Sequence, residues 1–260
     1  MNDFIRMVIA GGFMIIICHS SKCQKFMYLE ESFKKSSQTM SAKRKGFSSL
    51  GKYEFGPYKI ISGKQGWTLT ESKTNFWSGD SKSESLTKSS FVFTGLASDT
   101  ITANVTHTSV LEIDEQNSFV VRTLTNWYDL ETTQSEVFIA DFSSAKDTTK
   151  WSLVLAYPVE DEIITEITAE MISRFKGKIV SSNMSIDIVP EFRWENGKSA
   201  SMFKPLEAYT FQLDGVTIAA VQAFPFHKLF VWIKNDLTDE MKNVLAVSSA
   251  TMMVRSEQSL

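Results

Sequence analysis

From Tyr53 onward the chain reads as short runs of β-branched and aromatic residues, each broken by Gly, Ser, Asn or Asp. YKIIS, WTLTE, SFVFTG, TITANVTHT, SFVVRTLTNWY, SEVFIADF and WSLVLAYP predict strands, with Gly63 to Gly66, inside SGKQGW, read as a turn between the first two. Within SEVFIADF, Val137 and Ile139 share one side while Phe138 and Ala140 share the other, so some strands are expected to be covered on both faces. After residue 177 the runs resume as KIVSSNMSIDIV, EFRW, SASMF, AYTFQLDG, VTIAAVQAF and KLFVWI. Asn196-Gly197 and Asp214-Gly215 mark tight hairpins, because Gly accepts the positive φ such turns require, and 198–233 is expected to be an antiparallel meander.

Two segments break the strand rhythm. In 159–176, Glu160, Asp161 and Glu162 fall in the first turn and Arg174 and Lys176 in the last, Val159, Ile163, Ile167, Met171 and Phe175 lie near one stripe, and Gly177 stands where a left-handed cap residue belongs. This predicts an amphipathic helix whose end charges complement its dipole. The second, NDLTDEMKNVLAVSSATMMV (235–254), has Asp236 as a candidate cap, Asp239 and Glu240 in the first turn, and no charge from Val244 to Val254. A helix that is apolar or small on every side belongs inside something, and this uncharged stretch is too short to cross a bilayer. The surrounding sheet is the available interior. The expected fold class is therefore mainly β (α+β): an antiparallel barrel or curved sheets around a buried C-terminal helix.

Residues 214–254, in which a hairpin feeds two strands into that helix, resemble the tubby-like fold shared by the phospholipid scramblases and the LURP-one-related proteins. The resemblance implies many antiparallel strands closing around a hydrophobic terminal helix, and membrane-associated or ligand-binding duty. No cluster in the sequence matches the basic phosphoinositide pocket of the tubby proteins.

The amino terminus has the order of an export signal: Arg6, an apolar run from Met7 to Cys18, then small and polar residues. It also resembles a bacterial lipoprotein signal, with Ile15 at the aliphatic position and Cys18 as the acylated residue. Ile17 stands where that family has Gly, Ala or Ser, so ordinary cleavage near Ser20 or Ser21 remains the rival. The expected organisation is a signal segment over 1–23, a flexible Lys/Ser-rich tether over 24–52 and one β-rich domain over 53–260. A secreted or bacterial-type envelope-anchored location follows, with membrane attachment through the N-terminus only.

Charge narrows the partners. Residues 1–52 carry nine Lys/Arg against three Asp/Glu, so a total of −3 leaves −9 for the remainder, which argues against a nucleic-acid partner. Both cysteines, Cys18 and Cys23, precede the body, which leaves no thiolate nucleophile or cysteine-ligated metal there. His107, on a Thr-rich strand, is expected to face solvent, and His227 to sit at a hairpin tip. No cofactor and no metal ligand set is expected.

Carboxylates are the plentiful catalytic material: Glu112, Asp114 and Glu115; Asp129 and Glu131; Glu191 and Glu195 beside Trp194. A pair flanking a sugar bond on tryptophan platforms would make a glycan hydrolase. No residue is assigned a catalytic role, and Phe76 and Trp77, in the polar stretch NFWSGD, are the candidate ligand contacts. The expected function is a non-catalytic binding or structural module for an unidentified ligand or envelope component. A tubby-like lipid-binding module and a carboxylate-dependent hydrolase are the alternatives.

Overall fold

The computed structural model describes residues 26–46, 50–74, 81–108, 135–158, 175–201, 205–225 and 227–258. Among them, twelve antiparallel strands close into one barrel. These are β1 (Ser37–Lys45), β2 (Lys52–Phe55), β3 (Tyr58–Thr74), β4 (Ser81–Thr94), β5 (Thr100–Thr108) and β6 (Ser135–Ser144). They continue as β7 (Trp151–Pro158), β8 (Lys176–Val180), β9 (Ser185–Pro190), β10 (Glu207–Leu213), β11 (Val216–Phe224) and β12 (Leu229–Lys234). Every strand pairs with its neighbours in sequence, and β12 returns to pair with β1, from Ser37 opposite Lys234 to Ala42 opposite Leu229. The ring is narrow at β2, which meets β3 only from Tyr58 to Lys59, while β3 and β4 run on together as far as Thr74 and Ser81.

Two helices accompany the strands, α1 (Glu31–Ser36) and α2 (Asp239–Gln258). α2 runs through the lumen. Its 20 residues span about 30 Å, and every residue from Val244 to Ser256 is buried. The helix starts on Thr238, whose hydroxyl accepts the Met241 N–H at 3.3 Å. Asp236, expected as the cap, instead pairs with Lys234 at 3.5 Å in the preceding turn. Asp239 and Glu240 in the first turn and Arg255 in the last complement the dipole. The buried hydroxyls of Ser249 and Thr251 donate to the carbonyls of Leu245 and Val247, each at 2.8 Å, so these residues carry little polar cost. Leu245, Val247, Met252 and Met253 then meet Phe91, Phe93, Leu153, Phe211 and Val231 from the wall in one continuous core. Burying each of the larger helix side chains contributes roughly 1.5 to 3 kcal/mol in transfer terms.

The strand alternation is legible in the wall. Val231 and Ile233 of β12 face the lumen, while Phe230 and Trp232 face outward. The outward pair does not meet water. Met27, Leu29 and Phe33, with Trp194 and Leu206, cover it and form a second core outside the barrel. Gln222 fastens this strap: its Oε1 accepts the Met27 N–H at 2.7 Å and its Nε2 donates to the Lys228 carbonyl at 2.8 Å.

The segment expected to be a flexible tether is thus corrected, since residues 26–45 supply the strap, α1 and β1. Its large apolar residues follow no period because the strap packs as irregular cover, so periodicity could not reveal them. SGKQG is not a turn. It lies within β3, whose register against β4 shifts between Ile60 and Ser62 and again between Gln65 and Thr68, and glycines in a strand mark such bulges.

Residues 159–174 of the expected amphipathic helix lie outside the described residues, but its expected end is strand. Lys176 and Gly177 open β8, and Gly177 sits where a Cβ would press on Ile188, Phe175 and Leu155. Close approach, and not a helix cap, explains that glycine. Asp214 (φ 51) and Gly215 (φ 77) make the expected tight hairpin between β10 and β11.

Candidate functional site

The pairing fixes which connections share an end. The turns at 56–57, 95–99, 145–150, 181–184, 214–215 and 235–238 lie at the near mouth, where α2 enters. The other connections, including those that carry 75–80, 109–134 and 159–174, leave from the far mouth, where α2 ends. Phe76 and Trp77 fall in the first of these and Cys18 in 1–25, all outside the described residues. Glu112, Asp114, Glu115, Asp129 and Glu131 lie outside them as well.

The acids beside Trp194 are held apart by cations. Glu191 accepts from Arg193 Nε at 2.9 Å and Nη2 at 2.7 Å, and Glu195 pairs with Lys34 at 2.6 Å. Arg193 also lies 4.3 Å from the centre of the Tyr28 ring. Trp194 itself belongs to the second core, as does Trp232, while Trp151 belongs to the lumen core. His227 sits exposed in the turn before β12, as expected.

His107 departs from expectation. It is half-buried at the far mouth, with Nε2 2.5 Å from Glu136 on β6. His107 stands opposite Phe138 in register, and Glu136, two residues along β6 on the same face, is its diagonal neighbour. Glu136 continues to Arg255 Nη2 at 3.6 Å, and Arg255 Nη1 donates to Glu207 of β10 at 2.9 Å. Ser256 (2.7 Å) and Tyr209 (2.9 Å) also donate to Glu207. Beside this network Arg44 pairs with Glu257, which accepts the Tyr53 hydroxyl at 3.1 Å. Burial and the Glu257 charge push the Tyr53 phenol well above its ordinary value. At the far mouth, charge-assisted hydrogen bonds thus tie the helix end to β1, β2, β6 and β10.

The His107 hydrogen bond, then Arg255, hold the Glu136 carboxyl below its ordinary 4.5. A depressed carboxyl stabilises the fold fully above its unfolded value and loses that contribution as pH falls through the folded one. Thermal melts are expected to show stability declining as pH drops below about 4.5, with a shallower decline in Glu136→Gln; parallel declines would show that this carboxylate carries no linkage.

The near mouth is organised differently. A cavity of about 330 Å³ opens between the first turns of α2 and the connections 95–99 and 145–150. Asn243 of α2, buried, accepts the Leu96 N–H at 2.7 Å. Ser144 donates to Asp99 at 2.8 Å and accepts the N–H groups of Lys146 (3.0 Å) and Asp147 (3.1 Å). Asp147 and Glu240 both line this rim. The neighbouring Asp147 carboxyl, and then desolvation, raises Glu240 above its ordinary value, while the Thr149 N–H, donated at 2.9 Å, lowers Asp147. Burial and Asp239 push the nearby Tyr58 phenol up to about 12. Sequence reasoning missed this pair, since nothing in the spacing of two loop and helix acids foretells their meeting.

A third feature lies on the outer wall. Lys43 and Lys45 of β1, Lys52 of β2, Lys59 and Lys64 of β3 and Lys88 of β4 are all exposed, on the side opposite the core residues Met40, Tyr53, Tyr58 and Phe91. Lys45 pairs across the ladder with Lys52, and Glu54 lies between Lys43 and Lys59. Lys45 first, then Lys59 and Lys43, lower the exposed Glu54 carboxyl. The sequence showed no such cluster because its members come from four strands.

Among the described residues no group of acidic, histidine or cysteine side chains is suited to hold a metal ion, and no helix is long and apolar enough to cross a membrane. No family model, no curated protein and no solved structure matches this chain.

Proposed function

We propose that this chain is a non-catalytic binding module of tubby-like architecture, secreted or held at a cell envelope, that works from its outer wall and mouths. The filled lumen carries this reading. With α2 occupying the barrel from Val244 to Ser256, contact with any ligand falls to the exterior. The acids beside Trp194 are engaged by Arg193 and Lys34, which leaves them poorly placed to act on a sugar bond. The export-type N-terminus with Cys18 supports the envelope location; fatty-acid labelling that vanishes in Cys18→Ser is the expected result if the lipoprotein route applies.

The lysine wall favours one kind of target, an anionic lipid surface, in keeping with the tubby-like lipid-binding reading. Each lysine near such a surface contributes about 1 kcal/mol, screened by salt. A chain beginning at residue 26, which keeps the strap and β1, is expected to float with vesicles containing phosphatidylserine and not with phosphatidylcholine alone. Reversing Lys45 and Lys59 to Glu should weaken flotation roughly tenfold or more. Equal flotation with both vesicle types, or none with either, rejects the lipid reading.

A further inference from the structure

β3 is longer than the ring needs. It pairs with β4 from Lys59 to Thr74, yet on its other side β2 reaches only Tyr58 and Lys59. Among the described residues no strand pairs with that edge from Ile60 to Thr74. An exposed edge recruits other chains unless a bulge, a lysine or a cover blunts it. The first part of this one is blunted: the Leu50 side chain lies against Gly63, Lys64 follows, and the register shifts between Gln65 and Thr68. Past the shift the ladder is regular, from Thr68 opposite Thr87, their hydroxyls 3.1 Å apart, to Thr74 opposite Ser81. β5 pairs with β4 no further than Leu86, so β3 and β4 run beyond it as an arm. Thr68, Thr70 and Thr74 favour strand, and the stretch holds no proline to stop an incoming ladder. The charges on this arm are poorly matched within one chain. Register sets Glu71 opposite Glu84 and Lys73 opposite Lys82, and like charges directly opposite weaken an antiparallel pair. Laid antiparallel to a second copy of itself, TESKT (70–74) is complementary, because Glu71 then meets Lys73, Ser72 meets Ser72 and Lys73 meets Glu71.

We propose that the β3 edge from Thr70 to Thr74 is a self-recognition surface, on which two copies of this chain pair antiparallel about a twofold axis through Ser72. β4 and β3 of one copy continue into β3 and β4 of the other as a single ribbon, with the two barrels at its opposite ends. The same patch serves both copies, so the contact closes on itself and makes a dimer, not a fibre. Row by row, Glu84 and Glu71 of one copy extend into Lys73 and Lys82 of the other. That alternation offsets the mismatch each copy carries alone. A foreign extended strand can use the same backbone groups. The charge pattern favours a second copy, which carries the complement by construction.

The surface stands whether or not the body binds lipid, and its test contains none. A contact of this extent belongs to the weak, transient class, with a Kd on the order of 100 µM. Analytical ultracentrifugation of the full chain from about 10 µM to about 1 mM should show the parent passing from monomer to dimer. Glu71→Lys alone and Lys73→Glu alone should each self-associate at least about tenfold more weakly, since both opposed pairs between copies become like-charged. An equimolar mixture of the two variants should recover the dimer, and so should the chain carrying both exchanges. Neither reversal harms the arm itself. Glu71→Lys puts a cation opposite Glu84 and Lys73→Glu an anion opposite Lys82, so the melting temperature of the dilute variants should not fall. Loss of the dimer is thereby separated from loss of the fold, and association through the apolar N-terminal run is indifferent to these charges. A parent that stays monomeric at about 1 mM, single reversals that associate as the parent does, or a mixture no stronger than its components overturns the surface.

Discussion

Ala250→Asp is expected to abolish cooperative folding. Ala250 lies in the middle of α2 with strands on all sides and is fully buried. A carboxylate there has no cation within the helix stretch from Val244 to Val254 to meet it. The effective penalty for an unpaired buried ion is several kcal/mol, and added volume in a filled lumen costs about 1 to 3 more. A net stability of about 5 to 15 kcal/mol does not comfortably absorb both. Near-UV circular dichroism should collapse and the thermal transition should broaden or vanish, whereas Ala250→Gly, costing about 1 kcal/mol, should melt cooperatively. A variant that melts at the parent temperature would mean that α2 is not enclosed.

The second large effect is expected at the far mouth. Arg255 is 7% exposed and joins Glu207, at 2.9 Å, to Glu136, at 3.6 Å. Arg255→Ala leaves two half-buried carboxylates without that cation, and breaking a buried pair from one side costs up to about 3 to 5 kcal/mol. Denaturant unfolding should show the midpoint falling by that measure with the slope unchanged. Adding Glu207→Gln to the alanine variant should restore part of the loss, because a neutral amide is cheaper to bury than an ion. If the double variant is no more stable than the single one, the loss comes from packing of the arginine stem and not from its charge.

How much of this was legible depends on where each signal resides. α2 announced itself because an uncharged run such as Val244 to Val254 has one physical resting place, and local composition carries that message. Strands such as SEVFIADF and WSLVLAYP showed their identity through β-branched content, and Asp214-Gly215 showed its turn through the φ it needs. The wall was expected as a barrel or as curved sheets around the helix, and what decides for the closed ring, the β1–β12 register, lies between residues far apart in sequence. The strap was misread as a tether because Phe26, Met27, Leu29 and Phe33 bury themselves without periodicity. Glycine misled twice: in SGKQG it marks bulges, and at Gly177 it marks crowding, while composition alone suggested a turn and a cap. Both mouths were invisible for a common reason. His107, Glu136, Glu207 and Arg255 come from four elements, and Asp147 meets Glu240 only once the wall has closed on the helix.

The β1–β12 seam imposes an order of assembly. Ser37 to Ala42 have no partner until Leu229 to Lys234 have been synthesised, and α2 emerges later than both. A nascent chain therefore carries up to eleven sequentially paired strands as an open wall with a greasy inner lining and nothing to fill it. Such a species is sticky in the manner of a large folding intermediate, and its non-local closure is slow. Closure waits for β12 and α2 to follow β1 by roughly 190 residues, which makes this non-local pairing, and not local helix or hairpin formation, the slow step of assembly.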